Sequence, residues 1–184
     1  MKHVSSPLAT ALLAVVAAVT IVASATDAHA QVQLSGKSLP LSLAQEAAQE
    51  AIRSCEANGH RVSASVVDVS GVERAFLRGD RSTVHTRETA FKKAYTVATL
   101  GPIFGASTSG ALAEKISKTP TGPALVTVSN IILLAGGVAI RSGEETIAAL
   151  GVGGAPGGAL DEQCALAGVA KIQERINALA VPKP

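Results

Sequence analysis

Apolar residues in this chain form one long uninterrupted run near the start and several shorter patterned segments after it. The run extends from Leu8 to Ala25 and is followed by an Ala-His-Ala sequence ending at Ala30. A basic start, an apolar stretch and small residues at a cleavage position are typical of a secretory signal peptide. We therefore predict a signal peptide at residues 1–30, removed before Gln31, with a retained membrane anchor as the alternative.

The remainder of the chain predicts a short polar tail and then one domain. Residues 31–40 lack a regular apolar pattern and are expected to form a flexible tail. Residues 41–184 are about the right length for a single domain. No second long apolar run follows, so we expect no stable membrane insertion once the signal peptide is cleaved, and a periplasmic or secreted location.

The first half of the predicted domain contains a helix, a hairpin and a second helix. Small apolar residues recur at helical spacing over Leu41–Glu56. β-Branched residues at Val62–Val69, a Ser-Gly turn and an alternating pattern at Val72–Arg78 predict a β-hairpin. A second helix is expected from Thr86, as its N-cap, to about Leu100, because Gly101-Pro102 follows.

The second half predicts a weaker helical segment, more strands and a final helix. The helical segment is Pro102–Lys118, and three apolar segments then follow at Val126–Leu134, Gly137–Arg141 and Thr146–Val152. The last helix is expected over Asp161–Leu179, with Asp161 as its cap. Helices that flank hairpins in this order indicate an α+β domain with one antiparallel sheet.

Composition narrows the possible partners. The formal net charge is only +2, and the chain has three Phe, one Tyr and no Trp. Because there is no basic run interleaved with aromatic residues, nucleic acid is not an expected partner. Small aliphatic side chains bury little area each, so we expect further burial at a homo-oligomer interface.

The two cysteines, Cys55 and Cys164, both lie beyond the predicted cleavage point. Export favours a disulfide between them, and two separate buried thiols are the alternative. Cys55 is in the last turn of the first predicted helix, and Cys164 is in the first turn of the final one. The cysteines would meet if these helices lie antiparallel on the same face of the sheet.

A glycine-rich turn separates the last predicted strand from the last helix. Leu150–Cys164 holds five glycines and a proline. Backbone N–H groups at Gly153 and Gly154, next to a helix N-terminus, can cradle an anion. The alternative is a tight turn without a ligand, because Pro156 removes one donor and Asp161 contributes negative charge.

Four segments together resemble the GlcG/HbpS family of haem-binding proteins, which is also similar to the C-terminal domain of PduO-type cobalamin adenosyltransferases. They are SASVVDVSGVERAFLRGD, FKKAYTVA, GGVAIRSG and ALGVGGAPGGALDEQCALAG, in the expected order. The resemblance implies a profilin-like α/β/α fold with a five-stranded antiparallel sheet, the N- and C-terminal helices on one face, and oligomers. Family members often have a proline where this chain has Ala139, which is expected to loosen the start of that strand.

The resemblance makes haem, or a related tetrapyrrole, the leading ligand. Haem iron takes His, Met, Cys thiolate or Tyr as an axial ligand, which leaves His60, His85 and Tyr95 after the predicted cleavage. His85, just before the second predicted helix, is the preferred ligand and so the predicted metal-binding residue, and the alternative is a polar loop residue without a ligand. Tyr95, further along that helix, is a second candidate, and the alternative is a residue that fills the core. Arg87, Lys92 and Lys93 on that helix could pair with haem propionates, and both lysines are expected to be solvated.

Catalysis has little support in the sequence. His85 and Glu88 form an i, i+3 pair, but the chain has no H-E-x-x-H, C-x-x-C or G-x-S-x-G motif. We name no catalytic residue and favour an exported, non-catalytic binding protein. One alternative is an enzyme or accessory protein that acts on a small hydroxy or oxo acid, held by the glycine-rich turn. Another is an oligomeric scaffold without a small ligand.

Overall fold

The structure is a computed structural model, and it describes residues 37–179. The predicted signal peptide at residues 1–30 lies outside the described residues, as do positions 31–36 of the predicted tail and residues 180–184. The described part of the chain contains these elements, in order: α1 (Leu41–Ala57), β1 (Ser63–Asp68), β2 (Glu73–Arg78), α2 (Thr86–Phe104), α3 (Ser109–Ser117), α4 (Gly122–Leu125), β3 (Gly137–Ser142), β4 (Glu145–Gly153) and α5 (Gly158–Asn177).

The strands form one antiparallel sheet in the order β2-β1-β4-β3. The expected fifth strand is a wrong prediction for residues 37–179, in which the sheet has four, and the predicted apolar segment Val126–Leu134 forms no strand there. At the outer edge of β3, Thr108 makes a single bridge to Val138, and the Ala139 N–H donates to the Ser107 carbonyl. Pairing stops there because the Thr108 side chain caps α3, which turns the chain away from the sheet.

The two faces of the sheet are covered by different helices. Alternate residues of the central strands, such as Val66 and Leu150, are buried with side chains of α1 and α5. Their neighbours Val67 and Ala149 are buried with α2. This alternation follows from the two-residue period of a strand. The first and last helices therefore share one face, as expected, and α2 covers the other.

The Cys55–Cys164 disulfide is formed, which confirms the predicted pairing. The Cα atoms are 5.5 Å apart, and both residues are buried between α1 and α5. The bridge joins positions separated by 109 residues in the sequence. It therefore links the first helix of the described domain to the last.

Several predicted helix ends differ from those observed. Helix α2 continues through Pro102 to Phe104, and its C-cap Gly105 has a φ of 59°. Pro102 has no N–H, so the helix loses one backbone hydrogen bond at that position. His85, not Thr86, is the N-cap residue of α2. Helix α5 begins at Gly158, so Asp161 lies inside the helix and does not cap it.

Helix α2 packs closely on β4 because Gly151 has no side chain. A Cβ at Gly151 would collide with the Ala90 carbonyl and lie 2.6 Å from the Ala94 nitrogen. We expect Gly151→Ala to lower the free energy of unfolding by about 1–3 kcal/mol, the usual cost of overpacking. Urea unfolding measures the change. In the control, Gly157→Ser, a Cβ meets nothing within 4 Å and Ser suits the N-cap, so equal losses in both variants would contradict this account.

Candidate functional site

The start of α2 is held to the sheet by buried hydroxyl groups. The Ser63 Oγ lies 2.8 Å from the Thr86 Oγ1 and 3.1 Å from the Ser82 Oγ. The Thr86 hydroxyl also donates to the Thr83 carbonyl at 2.6 Å. All three of Ser63, Ser82 and Thr86 are buried. This network fixes the loop before α2, and with it the backbone position of His85.

An open pocket of about 640 Å³ lies between β2 and the N-terminal half of α2. Its volume is within the usual range for small-molecule sites. The pocket combines an imidazole, a guanidinium, carboxylates and apolar side chains. Its lining residues are Glu73, Val84, His85, Arg87, Glu88 and Phe91.

His85 and Arg87 are the exposed polar groups that the sequence analysis placed at this site. The His85 Nε2 is 3.5 Å from the Thr83 hydroxyl, at the limit of a hydrogen bond. The Arg87 guanidinium lies over the Phe76 ring, 5.3 Å from its centroid, a cation–π arrangement. The structure brings both predicted residues into one pocket.

Glu73 contributes a carboxylate to the pocket and was not predicted as a site residue. The register of β1 and β2 shifts between Val66 and Val67, so that Val67 is opposite Glu73. This places the Glu73 carboxylate within 2.8 Å of the buried Ser65 hydroxyl, which donates to it. The other carboxylate oxygen is 3.4 Å from an Arg87 nitrogen. Nothing in the local pattern of β2 indicates the bulge, so no sequence signal pointed to this contact.

Lys92 does not line the pocket but pairs with a residue that does. Its Nζ is 2.6 Å from a Glu88 carboxylate oxygen. The hydrogen bond from Lys92, followed by the attraction of its charge, holds the pKa of Glu88 below its ordinary value. Glu88 therefore remains ionised at neutral pH, and its charge is matched by Lys92.

Tyr95 and the two predicted glycines lie outside the pocket lining. The Tyr95 ring packs against Phe91, with centroids 5.8 Å apart, and against Gly71 in the β1–β2 turn. Gly153 packs against Thr89, and Gly154 packs against the backbone at Arg61 and Val62. The structure thus places Tyr95 behind the pocket and does not bring Gly153 or Gly154 to it.

His60, the other histidine in residues 37–179, lies in the turn after α1. Its backbone N–H donates to the Cys55 carbonyl at 2.9 Å. It is not among the residues that line the pocket. This separation leaves His85 as the imidazole at the site.

A buried ion pair between Lys93 and Asp161 was not predicted. Lys93 was predicted to be solvated and to be a partner for a propionate. Instead its side chain is only 5% exposed, and its Nζ lies 2.6 Å from a carboxylate oxygen of Asp161, which is 3% exposed. Lys93 also donates to the Val152 carbonyl, and Asp161 accepts the Ala155 N–H. The sequence did indicate that Lys93 is buried, because Lys93 is at helical spacing with Ala90, which is buried.

Within residues 37–179, no group of three or more His, Cys, Asp and Glu side chains could hold a metal ion. None of the helices of that region is long and apolar enough to span a membrane.

Comparisons with known proteins agree on the fold. HbpS from Streptomyces reticuli, as a double mutant, is 34% identical with a TM-score of 0.66, over 74% of this chain and 88% of that one. Klebsiella pneumoniae ORFY is 22% identical with a TM-score of 0.64, over 77% and 92%. A PduOC:heme complex is 20% identical with a TM-score of 0.63, over 73% and 94%. The last two show a shared fold alone.

The family assignment comes from the sequence itself. No curated protein matches the chain. A family model described as "Haem degrading protein HbpS-like" matches residues 39–170, which is most of the chain and nearly all of the described region. The protein therefore belongs to the HbpS-like family, as the four resembling segments predicted.

Proposed function

We propose that this protein binds haem in the pocket between β2 and α2, with His85 as an axial ligand. The observation that carries the proposal is that one pocket brings together His85, Arg87 and Phe91. Haem is a broad apolar ring with an iron centre and propionate carboxylates, and these three side chains complement its three parts. The family description names haem, and one structural neighbour was solved as a haem complex.

The donor chemistry of the chain supports His85. Both cysteines are joined in the disulfide and so are not thiolate ligands. Tyr95 packs behind the pocket, and His60 lies at a separate turn. Among the described residues, His85 alone combines a suitable ligand atom with a place in the pocket wall.

The other residues would orient the bound group. Arg87 would pair with a propionate, since a guanidinium suits a carboxylate. Phe91 and Val84 would contact the ring, and Tyr95 would support Phe91 from behind. Lys92 would add positive charge beside the pocket, although Glu88 already holds it. A bound haem would supply redox chemistry that protein side chains lack.

Titration with haemin tests the proposal. We expect wild-type protein to shift and sharpen the Soret band at saturation, and His85→Ala to weaken haemin binding at least about ten-fold, the effect of losing an axial ligand. The matched control is His60→Ala, which removes the other described histidine without touching the pocket. Equal behaviour of His85→Ala and wild type would refute the assignment.

We further propose that the protein is exported and self-associating, with the profilin-like arrangement of its family. The apolar run before residue 31 supports export, and a disulfide suits an oxidising compartment. Exposed apolar side chains such as Ile103 and Val128 support an interface between copies. Sedimentation velocity of the purified protein tests self-association, and a single monomeric species at micromolar concentration would refute it.

A further inference from the structure

The pocket contains the carboxylate of Glu73 beside Arg87, which is the residue that we expect to pair with the propionates of haem. Glu73 points into the pocket from β2, and its Oε2 is 3.4 Å from an Arg87 nitrogen. A haem propionate would pair with the same guanidinium. The two carboxylates therefore compete for Arg87.

The contact between Glu73 and Arg87 is suited to exchange. Charge-assisted hydrogen bonds are ordinarily about 2.7–2.9 Å long, so a separation of 3.4 Å is loose. The Arg87 side chain is 67% exposed, and that of Glu73 is 25% exposed. By turning toward a ligand, Arg87 would give up its cation–π contact with Phe76, but it would not be drawn out of a packed core.

Glu73 itself is held in place. The buried Ser65 hydroxyl donates to its Oε1 at 2.8 Å, from the neighbouring strand. When Arg87 turns toward a ligand, the Glu73 carboxylate stays in the pocket wall and repels a second anion. Glu88, the other carboxylate of the pocket, does not compete for Arg87, because it is paired with Lys92 at 2.6 Å.

From this geometry we propose that Glu73 is a specificity-determining residue, whose carboxylate occupies Arg87 until a carboxylate of the ligand replaces it. The inference rests on the proposed function. Glu73 lowers the affinity for tetrapyrroles in proportion to the negative charge they bring to Arg87. A tetrapyrrole without free carboxylates neither exchanges with Glu73 nor is repelled by it.

The test compares haemin with haemin dimethyl ester, in which the propionates are esterified, in Soret titrations at low salt. We expect Glu73→Gln to tighten haemin binding about five-fold, the scale of one close charge interaction in water, and to leave binding of the ester unchanged. The haemin gain should shrink at high salt because salt screens exposed charges. The glutamine can still accept from Ser65, and a thermal unfolding curve confirms that the variant is folded.

The control variant is Glu114→Gln, which makes the same charge change on α3, at an exposed residue paired with Lys118. It should alter neither titration. A Glu73→Gln variant that changes haemin and ester binding equally, or changes neither, would overturn the role of Glu73 while the His85 result still stands. If wild-type protein binds neither compound, the proposed function fails and this inference fails with it.

Discussion

Lys93→Met is expected to lower the free energy of unfolding by about 3–5 kcal/mol, the usual cost of removing one partner from a buried ion pair. The Asp161 carboxylate would remain in a site where it is 3% exposed, with its cationic partner gone. Urea unfolding measures the loss. Because Lys93 is on α2 and Asp161 is on α5, the pair links helices on opposite faces of the sheet.

The neighbouring lysine provides a matched control. Lys92→Met breaks a pair in which Glu88 is 68% exposed, and exposed pairs contribute at most about 1 kcal/mol. The double variant Lys93→Met/Asp161→Asn should recover part of the loss, since it leaves no buried charge and the amide oxygen can still accept from Ala155. Similar effects of Lys92→Met and Lys93→Met would contradict the buried-pair account.

Replacing both cysteines by alanine is expected to cost about 2–5 kcal/mol of unfolding free energy. The bridge closes a loop of 109 residues, and the chain-entropy account predicts larger effects for longer loops, which places the expected loss toward the upper end. Cys55 and Cys164 are buried between α1 and α5, so alanine leaves an apolar contact there. Urea unfolding under oxidising conditions measures the difference.

A reducing agent separates the disulfide from the packing of the sulfur atoms. Wild-type protein should lose stability when it is reduced, whereas Cys55→Ala/Cys164→Ala should be unaffected by the same treatment. Unchanged wild-type stability after verified reduction would show that the bridge does not constrain the unfolded chain.

Much of the fold was predictable because local patterns coincide with the tertiary structure. The alternation around Val66 and Val67 separates the two faces of the sheet, and the terminal helices meet at Cys55 and Cys164 as their positions suggested. The fifth strand failed because the apolar segment Val126–Leu134 forms turns, in which the Thr127 N–H donates to the Ala124 carbonyl and the Ile131 N–H to the Val128 carbonyl. Periodicity alone does not distinguish a short apolar strand from an apolar run of turns.

The candidate site was predictable only in part. His85 was predicted because few residues of the chain can ligate haem iron, and Arg87 was predicted because it is a cation close to His85. Both line the pocket. Glu73 was missed because a bulge in the sheet brings it there, and such a bulge depends on pairing between strands. Lys93 was missed because its charge suggested solvent, although its helical position indicated burial.

The central claim is that haem binds beside His85, and the most direct test is a crystal structure of the full chain with haemin. The account predicts iron coordinated by the His85 imidazole, with the ring against Phe91 and a propionate at Arg87. Iron ligated by another residue, or haemin bound away from the space between β2 and α2, would contradict it.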